Sequence, residues 1–563
     1  MKKLFFITCL LISYNFIFSQ TELAPNKFLI RFTDKNNCGY SISRPEKFLS
    51  QRAIDRRQKQ NIIIDNYDLP VNSEYILKVK NTGVKILNKS KWFNSVVIET
   101  SNLDTLNKIM NFSFVKNDEF KPITKIKKQN KSFFDNEFYK GALSTSCVKA
   151  TNDEHYNYGL ANNQIEMING KDLHDKNYRG QGMNIAIIDA GFINTENLKV
   201  FDSLWHNNQI LGEHNFVEKD STVFARHTHG TMVLSTIGGN IPGKFIGTAP
   251  KANFWLLLSE DANSEYLIEE YNWASAAEFA DSVGADIINS SLAYSIFNAP
   301  SQNHNYSDMD GKTTPVTQAA NIAASKGIII VNSAGNEGNN SWKYICAPAD
   351  ADKILCVGAV DSAGNYASFS SIGPTYDGRT KPDIVAQGKN AAVANAYGGY
   401  WTNANGTSFS SPIIAGMCAC LWQAHPLFSN MEIIDAIIKS ADNYQFPDNF
   451  LGYGIPDFSA ADKYLSEIEK NMKKDFCVNI FPNPFIDIIN MTLYSFKNQK
   501  AVLSVFDITG RKVFLHRNIN LNFGYNKLSV NALKNIAKGF YFVKISTENN
   551  TIVEKIIKCN AND

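Results

Sequence analysis

The sequence predicts an α/β protein with an open, doubly wound parallel sheet at its centre. A small ferredoxin-like α/β domain precedes that sheet, and a small β-sandwich follows it. Three observations support this. The chain has 563 residues, well beyond the roughly 150 that one domain uses. Apolar runs alternate with helical stretches from about 155 to 467, and short strands with turn residues follow from 477. The apolar fraction of 44% and charged fraction of 20% are those of a folded chain.

The first 19 residues have the pattern of a secretory signal peptide. Lys2 and Lys3 precede an apolar run, and Ser19 offers a small residue for cleavage before Gln20. A transmembrane anchor is the alternative, but the segment is short for one. We therefore expect the chain to be secreted or carried to the outer cell surface.

Residues 20–120 read as a small α/β domain. The apolar stretch 28–32 predicts a strand, and 45–58 predicts a helix with Pro45 in its first turn and Arg52, Arg56 and Arg57 on its exposed face. Strands that bracket helices on one sheet are typical of a ferredoxin-like fold. The remaining elements are a helix near 74–80, a strand pair within 84–100, a helix at 103–110 and a last strand at 112–115. Residues 121–154 form a polar, basic linker.

The central domain is predicted at 155–467. Its strands are nearly continuous in Ile, Val and Leu, as expected for a parallel sheet that is buried on both faces. Ligands of such sheets bind at the carboxyl ends of the strands, and Asp189 and Asn336 lie just past two of those ends. The predicted strands are 183–189, 253–258, 286–292, 327–334, 354–360 and 383–387.

A charged linker at 468–476 leads to the last predicted domain, 477–563. Its strands are short, alternate in polarity and are separated by turn residues such as Gly510 and Gly539. That pattern predicts a small all-β sandwich.

The net charge and the number of cysteines limit the possible partners and covalent cross-links of the protein. The formal net charge is +2, which gives no reason to expect a nucleic-acid partner. Removal of the signal peptide leaves eight cysteines, and an even number in an exported protein permits disulfides without selecting a pairing. Cys346 and Cys356 flank a loop and could pair; the alternative is that both are small buried residues.

Three short motifs occur in a fixed order along the central domain. Ile185-Ala-Ile-Ile-Asp189 comes first, then His229-Gly-Thr-Met-Val233, then Gly406-Thr-Ser408-Phe-Ser-Ser-Pro412. A serine hydroxyl becomes a nucleophile when a histidine takes its proton, and a carboxylate must orient that histidine. Asp, His, Ser is one of the chain orders in which such triads occur.

Taken singly, each residue has an ordinary alternative. Asp189 could cap the following helix, His229 could be a packed or surface histidine, and Ser408 could be a helix N-cap. Gly230 favours the catalytic interpretation of His229, because glycine lets another backbone approach where we expect a helix to begin. Pro412 suits the first turn of an apolar helix behind Ser408. The three motifs together, in one α/β region, favour catalysis.

A fourth segment supports the same chemistry. Asn336 lies between glycines just past the strand 327–334, and its side-chain amide is placed to donate to a developing oxyanion. The backbone N–H of Ser408 would be the second donor.

At these residues the chain resembles the subtilisin-like serine proteases, the subtilases, over roughly 155–467. The resemblance implies an Asp189–His229–Ser408 triad with Asn336 in the oxyanion hole. Ser290-Ser-Leu-Ala293 is similar to the family's substrate-binding strand, which pairs with an extended peptide. The resemblance therefore implies that Ser291, Leu292, Ala293, Ala334 and Gly335 line the substrate cleft.

Two positions depart from the family pattern. Ala190 follows the aspartate where the family usually has Ser or Thr, whose hydroxyl often bonds the carboxylate; we expect backbone N–H groups to supply that bond. Met232 stands where a second histidine is common, at a position without a chemical role.

The flanking domains also resemble parts of secreted proteases. Residues 20–120 are similar to a subtilase propeptide; a permanently attached accessory domain is the alternative. Phe481-Pro-Asn-Pro484 and Asp507-Ile-Thr-Gly-Arg511 are similar to motifs of the Bacteroidetes-type C-terminal domain that sorts type IX secretion cargo. A carbohydrate- or protein-binding module is the alternative there.

The sequence thus predicts a secreted serine endopeptidase that acts through an acyl-enzyme, with protein or peptide substrates and the secretion machinery as partners. An inactive peptide-binding subtilase and an esterase or adhesin are the alternatives. We expect a monomer that needs no cofactor for chemistry, and we assign no metal ligand. Structural calcium stays open, because Asp308-Met-Asp-Gly311 offers only the start of a calcium loop and reads better as a turn.

Overall fold

A computed structural model of the protein describes residues 22–116, 123, 157–218, 221–398, 401–471, 476–495, 498–522, 524–548 and 550–559. The predicted signal peptide lies outside the described residues, as does the predicted linker 121–154 apart from Ile123.

The helices are α1 (Gln51–Lys59), α2 (Ser73–Lys80), α3 (Leu103–Met110), α4 (Asn162–Glu166), α5 (Lys171–Asp175), α6 (Asp202–His206), α7 (His229–Gly238), α8 (Ile268–Val283), α9 (Pro315–Ser325), α10 (Thr407–Ala424), α11 (Asn430–Lys439) and α12 (Phe458–Asn471).

The strands of the first two domains are β1 (Glu22–Ala24), β2 (Lys27–Arg31), β3 (Lys85–Ser90), β4 (Ser95–Glu99), β5 (Asn184–Asp189), β6 (Ile210–Asn215), β7 (Asn240–Ile241), β8 (Phe245–Ile246), β9 (Asn253–Leu258), β10 (Ile287–Ser290), β11 (Ile329–Ser333), β12 (Leu355–Val360), β13 (Ile384–Gln387), β14 (Ala391–Ala394) and β15 (Trp401–Ala404). The last domain contains β16 (Phe476–Phe481), β17 (Ile489–Ser495), β18 (Gln499–Asp507), β19 (Lys512–Leu521), β20 (Gly524–Val530), β21 (Gly539–Ser546) and β22 (Thr551–Lys558).

The N-terminal domain is an antiparallel sheet in the order β1-β2-β4-β3 with helices packed on it. Two predictions needed correction. The predicted helix 45–58 begins only at Gln51, because Ser50 caps it by accepting the N–H of Ala53 at 3.2 Å. The predicted strand 112–115 is reduced to one bridge between Val115 and Phe32.

The prediction that the arginines of α1 face solvent is wrong for Arg56 and Arg57. Both side chains are buried against α8, where Asp281 accepts from Arg56 at 2.5 Å and from Arg57 at 2.8 Å. Lys91 adds a third cation at 3.1 Å, and Asp68 pairs with Arg57 at 2.6 Å. A buried ionic cluster therefore joins the N-terminal domain to the central domain.

The central domain contains, among the described residues, a parallel sheet of seven strands in the order β13-β12-β11-β10-β5-β9-β6. Successive residues of β5 point to opposite faces. Ile185 and Ile187 belong to the core that α7 and α10 cover, whereas Ala186 and Ile188 belong to the core under α8 and α9. This confirms the predicted doubly wound sheet, buried on both faces.

All six strands predicted for this sheet are present, one of them (253–258) with the predicted bounds and five with slightly shorter bounds. The strand that the sequence did not reveal is β6, at the edge, because five of the six residues of Ile210–Asn215 are exposed or half-buried and the segment carries no apolar run. The short hairpin of β14 and β15 was missed as well.

The C-terminal domain confirms the predicted β-sandwich. Its sheets have the orders β16-β17-β20 and β19-β18-β21-β22, and they share one apolar core. Lys527 of this domain pairs with Asp55 of α1 at 2.6 Å. The helix α12 continues to Asn471, so the charged stretch predicted as a linker from 468 begins as helix.

Two further features concern the described part of the chain. Cys346 and Cys356 are free, buried thiols there, and burial raises the pKa of both. Of the helices described, none combines the length and apolar character that crossing a membrane would require.

Candidate active site

The candidate site is built at the carboxyl end of the sheet. Asp189 is the last residue of β5, and its Oδ1 lies 2.7 Å from Nδ1 of His229. Both side chains are fully buried. Because an ionised carboxylate only accepts, the proton of this bond sits on Nδ1, which leaves Nε2 as the basic nitrogen of the ring.

Ala190 compensates in part for the missing hydroxyl. Its backbone N–H donates to Asp189 Oδ1 at 2.7 Å, which is the kind of replacement that we expected. Within the described residues Asp189 Oδ2 is a buried oxygen with no hydrogen-bond partner. The carboxylate is therefore held through Oδ1 alone.

His229 is the first residue of α7, as predicted. The N–H of Gly230 donates to the carbonyl of Gly191 at 2.9 Å, which ties the start of α7 to the loop that follows Asp189. A Cβ at position 230 would lie 2.6 Å from that carbonyl oxygen and 2.7 Å from the ring of Phe192. Only glycine allows this close approach, so the local sequence fixes the distance between the two side chains.

Ser408 is the second residue of α10. The alternative that Ser408 is the N-cap does not hold, because Gly406 occupies that position. One expectation is corrected: Pro412 lies in the second turn of the helix rather than the first. The ring of Phe409 lies 5.9 Å from that of His229, measured between centroids. The start of α10 therefore lies beside the start of α7, with its first N–H groups unpaired within the helix.

Ser291, which directly follows β10, contacts Ser408 twice. Its hydroxyl donates to the Ser408 carbonyl at 2.9 Å, and its own carbonyl accepts from the Ser408 hydroxyl at 3.4 Å. Leu292 is buried, Ala293 is half-buried, and the Leu292 carbonyl accepts from Asn332 at 3.2 Å. The segment predicted to bind substrate therefore begins at the candidate nucleophile.

Asn336 contacts Thr407, the residue before Ser408. Its Oδ1 accepts from the backbone N–H of Thr407 at 2.9 Å and from the Thr407 hydroxyl at 3.0 Å. That same hydroxyl accepts the N–H of Gly335 at 3.2 Å. With its oxygen engaged, the carboxamide has Nδ2 as its remaining hydrogen-bonding group, which is a donor.

Ala334 and Gly335, the two residues before Asn336, are both buried. Gly335 has φ +106°, in the region that favours glycine, and its carbonyl accepts from Ser371 N at 2.9 Å. The N–H of Ala334 donates to Val357 of the sheet at 2.9 Å. The sheet thereby fixes the backbone before Asn336.

Sequence reasoning missed Thr407 as a positioning residue. Thr407 could have been noticed because it precedes Ser408 in the motif. Only the fold, however, shows that its hydroxyl bonds Asn336, 71 residues away in the sequence. The turn expected at 308–311 agrees with the structure, where the Asp310 carboxylate accepts from Lys312 N at 3.0 Å and Thr313 N at 2.9 Å.

Comparisons with known proteins show the family to which the central domain is similar. Residues 180–454 match the Subtilase family. Over 305 residues the chain is 30% identical to subtilisin DY of Bacillus licheniformis, an alignment that covers 53% of this chain and 97% of that protein. The chain belongs to the subtilase family. This subtilase is also 28% identical over 306 residues to subtilisin NAT of Bacillus subtilis subsp. natto, covering 53% of the chain and 70% of the relative.

The flanking domains match families as well. Residues 27–135 match the Peptidase S8 propeptide domain of Bacteroidota, and residues 479–559 match the secretion system C-terminal sorting domain. A solved structure, MycP1 from Mycobacterium smegmatis, is similar to this subtilase with a TM-score of 0.42 and 22% identity, covering 56% of this chain and 86% of that one. The protein is a secreted serine-type endopeptidase with an N-terminal propeptide domain and a C-terminal sorting domain.

Proposed function

We propose that Asp189, His229 and Ser408 are the catalytic triad of this endopeptidase. The observation that carries the proposal is the 2.7 Å bond between Asp189 and His229, at a helix start that lies beside the helix start bearing Ser408. The proposal names a nucleophile, a base and an orienting carboxylate, which are the groups that acyl transfer requires.

In the proposed reaction the Ser408 hydroxyl attacks the scissile carbonyl while His229 Nε2 takes the hydroxyl proton. Asp189 holds the proton on Nδ1 and stabilises the imidazolium that forms. His229 then gives its proton to the leaving amine, and the acyl-enzyme remains on Ser408. Water, deprotonated by the same nitrogen, releases the second product and restores the hydroxyl.

Asn336 Nδ2 and the Ser408 N–H are the proposed oxyanion donors. Two observations support this role: Thr407 fixes the Asn336 oxygen, and Ser408 lies in the first turn of α10, whose N–H groups favour developing negative charge. One such donor is worth about 3–4 kcal/mol in the transition state.

The proposed substrate cleft runs between Ser291–Ala293 and Ala334–Gly335, the two segments that flank Ser408. An extended peptide would align along the first segment by backbone pairing. The proposed triad comes from a single chain, so we also propose that a monomer is active. The C-terminal domain, residues 477–563 in our proposed boundaries, would engage the secretion machinery.

The test compares Ser408→Ala with Ser410→Ala on a denatured protein substrate, on a peptide ester and with a fluorophosphonate label. Ser410 is buried in the same helix and donates to the Thr407 carbonyl at 3.0 Å, so its loss removes a neighbouring hydroxyl only. We expect Ser408→Ala to lose turnover by about a millionfold and to lose labelling, while Ser410→Ala keeps both. Equal peptidase rates for Ser408→Ala and the parent would reject the proposal. Hydrolysis of the ester without the peptide would favour an esterase.

A further inference from the structure

Three glutamates outside the candidate active site lie together in the loop between β9 and α8. Glu260, Glu265 and Glu269 each offer a carboxylate oxygen, and these oxygens all lie within 4.8 Å of one another. Glu260 and Glu269 are buried, and Glu265 is half-buried. Three carboxylates in so small a volume repel one another strongly unless something neutralises them.

The hydrogen bonds around the cluster leave coordinating capacity. Glu260 Oε1 accepts from the Ser259 hydroxyl at 2.6 Å and from the Tyr294 hydroxyl at 2.7 Å, and Glu269 Oε1 accepts from Asp261 N at 3.2 Å. Glu269 is 1% exposed, yet its Oε2 has no hydrogen-bond partner among the described residues. A buried oxygen in that condition costs free energy that a ligand would recover.

Among the described residues, neither a lysine nor an arginine forms an ion pair with any of the three glutamates; Arg226 instead pairs with Asp261 at 3.6 Å. Burial raises the pKa of Glu260 to about 7, and burial also raises the pKa of Glu265 and Glu269 well above their ordinary value. Holding these three acidic groups together therefore costs free energy of folding.

There is room beside the cluster for an ion and its water ligands. A cavity of about 240 Å³ is lined by Glu269 and Asp261 on the side of the peptidase domain and by Lys27 and Asn88 on the side of the propeptide. A bound water needs roughly 30 Å³, so the cavity can hold several.

We propose that Glu260, Glu265 and Glu269 form a calcium-binding site. Calcium takes oxygen ligands at about 2.3–2.6 Å, so two of its ligand oxygens lie at most about 5 Å apart, which matches the spread of these three. The three carboxylates supply at least one oxygen each, and water in the cavity would supply the remaining ligands.

The position of the site gives the ion a structural role in the cleft. The N–H of Ser259, next to Glu260, donates to the carbonyl of Asp189 at 3.1 Å. Tyr294 directly follows the proposed substrate segment, which ends at Ala293, and its hydroxyl donates a hydrogen bond to Glu260. The ion therefore stabilises the loop that connects the strand end of Asp189 to the substrate segment.

The first experiment uses the full chain in the Ser408→Ala background, which prevents self-digestion, after treatment with a chelator. Terbium is titrated and its emission is excited through Tyr294, whose hydroxyl contacts a proposed ligand. We expect a bound equivalent of terbium that calcium displaces, that the Glu265→Gln/Glu269→Gln double variant lacks, and that Glu554→Gln, an exposed carboxylate of the sorting domain, retains. If the double variant bound as much terbium as the parent and gave the same emission, the proposed site would be rejected.

A second measurement separates a metal site from carboxyl groups that only share protons. In calcium at about a hundred times its Kd, we expect the Tm of the parent to rise by about 5 °C and that of the double variant to stay unchanged. In chelator the double variant should be at least as stable as the parent, because amides remove the repulsion. Equal calcium shifts in both proteins, or no shift in the parent, would show that the glutamates bind no calcium.

Discussion

Asp189 Oδ1 accepts two hydrogen bonds of 2.7 Å, one from His229 Nδ1 and one from the Ala190 backbone. The second bond comes from the peptide unit that follows the strand, so the end of β5 itself orients the carboxylate. The histidine is positioned in turn by the bond between Gly230 and Gly191. Backbone geometry, rather than a serine or threonine hydroxyl, holds the pair of Asp189 and His229 in place.

Asp189→Asn tests the role of that carboxylate. A neutral amide cannot stabilise an imidazolium and can turn its NH₂ toward Nδ1, which selects the wrong tautomer. We expect kcat to fall by about 10⁴-fold while KM changes little. Steady-state kinetics with a peptide substrate measure this, and unchanged thermal unfolding shows that the fold is intact. A loss of less than tenfold would mean that Asp189 has no role in orienting the base.

Thr407 and Asn336 provide a graded test of the oxyanion site. Asn336→Ala removes a donor and should lower kcat by about 10²–10³-fold. Thr407→Val removes the hydroxyl that bonds Asn336 Oδ1 at 3.0 Å but keeps the backbone donor at 2.9 Å, so we expect a smaller loss of about tenfold in kcat. Because Thr407 acts through Asn336, Thr407→Val should have little effect in an Asn336→Ala background. Additive losses in the double variant would place Thr407 outside the oxyanion site.

The sequence predicts the local structure around the candidate site well, because the proposed chemistry restricts which residues can stand there. Asp189 must follow a strand, His229 needs Gly230 beside it, and Ser408 opens a helix. The sequence does not predict contacts that depend on a distant segment. One of the two carboxylate partners of Arg57 is Asp281, 224 residues further along the chain, so arginines that the sequence predicts to be exposed are in fact buried.

The same reasoning accounts for the errors in secondary structure. The edge strand β6 has one neighbour only, β9, so half of its side chains need not be apolar. The start of α10 was placed too late because Pro412 is typical of a first turn. In the structure it stands in the second turn of a buried helix, where tertiary packing outweighs that preference.

Asp281→Asn tests the ionic cluster that joins the propeptide to the peptidase domain. The substitution leaves Arg56, Arg57 and Lys91 buried with too little negative charge, and breaking a buried pair in this way costs about 3–5 kcal/mol. We expect the free energy of unfolding of the full chain, measured by denaturant in the Ser408→Ala background, to fall by that order. Glu99→Gln is the control, since Glu99 pairs with Lys85 at 3.8 Å on the surface and should change little.

The pH dependence of this cluster follows from its charges. Burial alone would raise the pKa of the Asp281 carboxyl, but Arg57, Lys91 and Arg56 hold it well below its usual range. A lowered pKa stabilises the fold above the unfolded value of 3.8 and loses that effect only as the pH falls through the lower folded value. The difference between the parent and Asp281→Asn should therefore persist at pH 4.5. Its disappearance there would contradict an ionised Asp281.

His425 predicts a second pH effect, of opposite sign. The ring is buried, which favours its neutral form, but Asp462 at 2.8 Å and Glu469 at 3.1 Å outweigh burial and raise the pKa above 6.5. A raised histidine pKa stabilises the fold fully below the unfolded pKa, and that stabilisation is lost as the pH rises through the folded value. We expect the Tm advantage of the parent over His425→Gln to shrink from pH 6 to pH 9. His206→Gln, at an exposed histidine, should show no such trend. An advantage that stays constant over this range would mean that His425 contributes packing rather than charge to the contact between α10 and α12.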